Sequence, residues 1–84
     1  MRYLLITYVK KPNGQIDEQV EVSNNVKPKD IQICNVILDF KEKSVNKCII
    51  EGKSISQDWA QLSGYYKQVY PAVIERLEAE ASQE

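Results

Sequence analysis

Two carboxylates, a cluster of tyrosines and two cysteines are the side chains of this 84-residue sequence best suited to chemistry. Asp39 and Glu51 fall in stretches that read as strands, and a carboxylate pair there could share acid and base roles if burial drove their pKa values apart. Nothing in the sequence marks them as adjacent or buried, and carboxylates at strand ends more often keep an edge soluble. Tyr65, Tyr66 and Tyr70 could form a platform for stacking on nucleobases. Tyr66 and Tyr70 sit on the apolar stripe of a helix, so core packing is the better reading for them, while Tyr65 lies at its margin. Cys34 and Cys48 are too few for a disulfide scaffold and read as reduced thiols.

Several chemistries are excluded. There is no histidine, which removes the commonest general base and metal ligand. Two cysteines without histidine do not complete a zinc site within one chain. Gly52-Lys53-Ser54 ends like a phosphate-binding loop, but the glycine required five residues earlier is Lys47. The expectation is a protein that is not an enzyme and uses no metal or cofactor.

The elements that would position these residues follow from pattern. Eighty-four residues make one domain, 1–84, near the small end of what a single core supports. No apolar run spans a bilayer and none reads as a signal peptide, so a cytoplasmic protein is expected. Strands are predicted over about 2–10, 15–23, 31–40 and 45–51, from β-branched and aromatic density and from two-residue alternation. Lys11-Pro12-Asn13-Gly14 predicts a bulged hairpin turn, with proline presetting φ and Gly14 supplying a positive φ. Asn24 to Asp30 reads as a loop, and Lys41 to Ser44 as a charged hairpin turn.

Residues 57–80 form the strongest helical signal. Trp59, Leu62, Tyr66, Val69, Tyr70, Val73, Ile74 and Leu77 fall within an arc of about 140° at 100° per residue. Ser56 is the better N-cap, with Ile55 stapled against Ala60, and Ser54 with Gln57 is a rival capping box before it. Pro71 interrupts the backbone while the apolar phase runs on, which predicts one long kinked helix, or two nearly collinear ones, and no return of the chain. The fold class is therefore α+β: a four-stranded antiparallel sheet, ββββα, with the C-terminal helix on one face.

One helix covers one face, yet the first and third strands carry apolar residues on both. Tyr3, Leu5, Val9, Ile33 and Ile37, with Tyr65 from the helix, are the expected interface, and homodimerisation is the economical way to cover them. The leading functional expectation is a protein-interaction module with a second copy or another protein as partner. The alternative is a single-stranded nucleic-acid binder, in which Lys10, Lys11, Lys41, Lys43 and Lys47 track phosphates and Tyr3 and Tyr8 stack on bases. The formal charge of −1 divides unevenly: residues 1–53 hold nine Lys/Arg against seven Asp/Glu, and residues 54–84 hold two against five.

The stretch Gly52-Lys53-Ser54-Ile55-Ser56-Gln57-Asp58-Trp59-Ala60-Gln61-Leu62 resembles the strand-to-helix junction of single-stranded-DNA-binding transcriptional coactivators of the positive-cofactor-four type. The likeness covers about eleven residues, and the Ser-to-Trp spacing is one residue shorter here. It implies four antiparallel strands followed by an amphipathic helix, a dimer, and single-stranded DNA as ligand. In overall style the chain also resembles the small accessory proteins of large tailed bacteriophages, which implies an intracellular protein that binds a host or viral macromolecule.

Overall fold

A computed structural model describes residues 1–50 and 58–83. The elements run β1 (Tyr3–Lys10), β2 (Ile16–Ser23), α1 (Pro28–Ile33), β3 (Val36–Asp39), β4 (Ser44–Cys48), α2 (Trp59–Val69) and α3 (Pro71–Ser82). The strands form one antiparallel sheet in the order β2-β1-β3-β4. The α+β class and the four-stranded antiparallel sheet match the sequence reading, whereas the helices depart from it.

The β1–β2 hairpin forms as its residues dictate. Gly14 adopts φ 88°, Gly14 N donates to Lys11 O and Lys11 N donates to Gln15 O, and Asn13 Oδ1 accepts from Gln15 N. At the other end of the sheet, Asp39 organises the β3–β4 turn. Its Oδ1 accepts from the backbone N of Lys41 and of Glu42, at 3.0 and 3.1 Å. Arg2 donates to the same carboxylate through two nitrogens, at 2.8 and 2.7 Å. Asp39 is buried, and this bidentate pair with two backbone donors satisfies it. Its role is thus to close a turn.

Strand order explains the first departure. β2 and β3 both run antiparallel to β1 and flank it, so they are parallel to each other and the connection between them must cross one face of β1. The third strand, expected from Ile31, therefore begins only at Val36, and residues 28–33 form the helix of the crossover. Pro28 occupies the first helical position, where its missing N–H costs nothing. Asp30 Oδ2 accepts from Lys27 N at 3.0 Å, as in a capping box. The crossover buries Leu5, Cys34 and Ile37 in a small cluster with Tyr3 and Val26 packed against it. Cys34 lies on the face opposite to Val36 and Leu38, where Thr7 Oγ1 donates to its Sγ.

The second departure is at Pro71. Tyr70 takes φ −128° and ψ 64°, accepts no helical geometry, and separates α2 from α3. The two helices run in opposite directions along the sheet. Trp59, at the start of α2, packs edge-on against Phe40 with ring centroids 4.8 Å apart, and Phe40 N donates to Arg2 O. At the far end of α2, Tyr66 meets Tyr8. Glu80, near the end of α3, is back at the Met1 amino group, 3.2 Å away. The chain does return, and α2 with α3 covers the face of Leu4, Ile6, Val36 and Leu38 through Leu62, Tyr66, Ile74, Leu77 and Ala81. Helix α2 starts at Trp59 with Asp58 in the cap position; the expected cap at Ser56 and staple at Ile55 lie outside the described residues.

Candidate functional site

β1 is twice as long as β3, and this mismatch leaves a groove at the Lys10 end of the sheet. β3 stops pairing at Val36↔Ile6, so the last residues of β1 lack a strand on that side. Asn35 fills the gap with both backbone and side chain. Its N donates to Ile6 O and its O accepts from Ile49 N, each at 2.8 Å. Its Oδ1 accepts from Tyr8 N at 3.0 Å, and its Nδ2 donates to Ile49 O at 3.3 Å. Beside Asn35, the groove encloses about 560 Å³ between Tyr8, Lys10, Ile16, Glu18, Ile49 and Ile50. Ile16 and Ile49 are 67% and 56% exposed, high values for isoleucine.

Three phenols and one carboxylate, of which Tyr8 and Glu18 also line the groove, lock the helices to the sheet. The hydroxyls of Tyr8 and Tyr66 are 2.9 Å apart, and Tyr70 Oη donates to Glu18 Oε1. Tyr66 is fully buried. Burial raises the Tyr66 pKa to about 12. The bond to Glu18, helped by burial, raises Tyr70 to about 12, and burial with the bonds to Tyr66 and Glu18 drives Tyr8 higher still. Phenols held this firmly in the neutral form are poor acids and bases at neutral pH. The cluster is a structural tie between layers and leaves the groove beside it for binding.

A second groove lies at the Met1 end, about 730 Å³ in volume, between the β3–β4 turn and the two C-terminal helices. Phe40 and Trp59 line it together with Lys41, Lys43, Lys67 and Glu78. Lys67 pairs with Glu78 at 3.3 Å.

The residues singled out from sequence are scattered by the fold. Of the expected interface, Leu5 and Ile37 are buried within the chain beneath the crossover, and Tyr3 is half-buried. Val9 and Ile33 are exposed on the α1 side, while Tyr65 belongs to α2 on the opposite layer. Around Leu5 and Ile37 the crossover covers the sheet face that motivated this set, and it leaves the Val9 end exposed. The lysines divide similarly. Lys10 and Lys11 lie at one end of β1, and Lys41 and Lys43 at the other, roughly 25 Å apart for an eight-residue strand. Lys47 sits across from Ile37, and its Nζ donates to Ile31 O at the crossover. Tyr8 presents its hydroxyl to Tyr66 and not to solvent. Glu51 lies outside the described residues, as does Gly52 to Gln57 of the coactivator-like junction.

Sequence reasoning passed over Ile16, Ile49 and Asn35 in one groove and Lys67 with Trp59 in the other. Ile16 and Ile49 each carried a signal, an isoleucine beside a turn or a strand end, but only the fold brings them together. Among the described residues, no cluster of His, Cys, Asp or Glu could hold a metal ion, and no helix is long and apolar enough to cross a membrane. Comparison with protein-family models, with curated proteins and with solved structures finds no match to this chain.

Proposed function

We propose that this chain is a non-enzymatic interaction module that pairs with a second copy of itself through the groove at the Lys10 end. The observation that supports this reading is the joint exposure of Ile16 and Ile49 on one concave surface carrying one cation, Lys10, and one carboxylate, Glu18. A two-fold interface must be complementary to itself. A surface of single sign would repel its copy, whereas Lys10 of one protomer can face Glu18 of the other across apolar contact. Cys34 and Cys48 as free thiols fit a reducing compartment.

The magnitude predicts a weak dimer. Four isoleucines, two per protomer, contribute roughly 1.5–3 kcal/mol apiece at full burial. Association itself costs about 4–15 kcal/mol, so the surplus corresponds to micromolar affinity at best. Light scattering from about 10 µM to 1 mM tests it, since mass must rise with concentration over the range that such affinities span. A constant monomer mass across that range contradicts the reading.

A further inference from the structure

The groove at the Met1 end has a composition that the pairing surface lacks. Its floor is aromatic: Trp59 packs edge-on against Phe40, centroids 4.8 Å apart, and both rings line the cavity. Its walls are basic. Among the described residues, Lys41 and Lys43 of the β3–β4 turn and Lys67 of α2 line it, with Glu78 of α3 as the one carboxylate. The convergence is a product of the fold, because Lys43 and Lys67 are far apart in sequence yet line one cavity. Lys43 is exposed, adopts φ 53°, and makes no ion pair among the described residues. Lys67 pairs with Glu78 while both side chains remain about half exposed, 54% and 47%; such a pair is worth little and exchanges readily for a stronger anion. The volume of about 730 Å³ falls within the range of small-ligand sites.

We infer that this groove binds a nucleoside phosphate, its base against Trp59 and its phosphate between Lys43 and Lys67. A flat ring with an attached anion satisfies both halves of the site, since bases stack on aromatic side chains and lysines hold phosphates as point charges. An acidic peptide satisfies the lysines but leaves the aromatic floor without a stacking partner. The same chemistry is offered by a free mononucleotide and by a residue of a single strand. The site lies at the opposite end of the sheet from the proposed pairing surface and does not depend on it.

Trp59 is the chain's single tryptophan, so fluorescence excited selectively at the indole, clear of tyrosine absorption, reports this groove. The experiment titrates the full chain at about 50 mM salt, where phosphate contacts are strongest, with adenosine 5′-monophosphate, a thymidine hexanucleotide, inorganic phosphate and a hexaglutamate peptide. Saturable quenching by the mononucleotide, or by the hexanucleotide alone, supports the site and distinguishes a free nucleotide from a strand as its source. The double variant Lys43→Asn, Lys67→Gln should weaken that binding about tenfold, as expected for loss of two phosphate contacts. Asparagine tolerates the positive φ at position 43, and an unchanged circular dichroism spectrum verifies folding. No saturable quenching by either nucleotide ligand, equal affinity in the double variant, or hexaglutamate binding as tightly as the nucleotides would each overturn the inference.

Discussion

The hydroxyls of Tyr8 on β1 and Tyr66 on α2 stand 2.9 Å apart, joining the end of the central strand to the end of the helix that covers it. Tyr66 is fully buried. Replacing it with phenylalanine keeps the ring and removes one of the two partners of the Tyr8 hydroxyl, leaving Glu18, so Tyr66→Phe should destabilise the protein by about 1 kcal/mol. Chemical denaturation of the two proteins measures this directly. A change within a few tenths of a kcal/mol would mean that water replaces the bond.

The same cluster sets an alkaline limit on stability. Tyr66 and Tyr70 have folded pKa values raised to about 12, and Tyr8 is raised further; an unfolded tyrosine titrates near about 10. The folded state holds these protons more tightly, so the stability they contribute is complete below about pH 10 and is lost as pH rises through the folded values. Thermal melts should fall steeply between about pH 10 and 12. Phenolate absorbance in the native protein should show at least three tyrosines titrating late.

Asp39 imposes the opposite dependence. The two bonds from Arg2, with support from the backbone of Glu42 and Lys41, hold its carboxyl below the ordinary aspartate range despite burial. A lowered folded pKa gives stability that is present above the unfolded value, near about 3.9, and is lost as pH falls through the folded one. Asp39→Asn should therefore lower the melting temperature at neutral pH, with the gap to the parent protein closing under acid. A gap that stays constant to low pH would assign the effect to turn geometry and not to charge.

Ile37 distinguishes a covered sheet face from an open one. It is buried together with Leu5 and Cys34 under the β2–β3 crossover. Ile37→Ala should cost about 2–4 kcal/mol, as for truncations in a packed core. On an open face the same change would be nearly neutral, so a loss below about 1 kcal/mol would contradict the crossover.

Much of this architecture was legible in the sequence, and the failures have physical causes. Pro12 and Gly14 specify the first hairpin locally, and the stripe through Leu62, Tyr66, Ile74 and Leu77 names the residues that α2 and α3 bury. The stripe misled about the path of the chain. Two antiparallel helices on one sheet face must each carry apolar residues at helical spacing, so continuity of phase through Pro71 says nothing about direction. Val69 shows the cost of that reading: it belongs to the stripe by angle but is left 44% exposed where α2 ends. The crossover helix was hidden because Ile31, Ile33 and Ile37 alternate like a strand, while its own signal, Pro28 with Asp30 two residues on, is short. Strand order was not readable from pattern at all, and strand order alone decides that residues 24–35 cover Leu5 and Ile37. The two grooves depend on that order, so their lining could not be assembled from sequence.

Self-pairing through the Lys10-end groove is tested most directly by sedimentation velocity on the parent chain and on Ile16→Asp. Ile16 is 67% exposed, so the substitution should leave the melting temperature within the small range of surface changes. The predicted result is a sedimentation coefficient that rises with concentration for the parent chain and stays at the monomer value for Ile16→Asp. A parent chain that remains monomeric to about 1 mM, or a variant that associates as readily as the parent, would contradict the account, since burial of Ile16 supplies part of a surplus worth only a few kcal/mol.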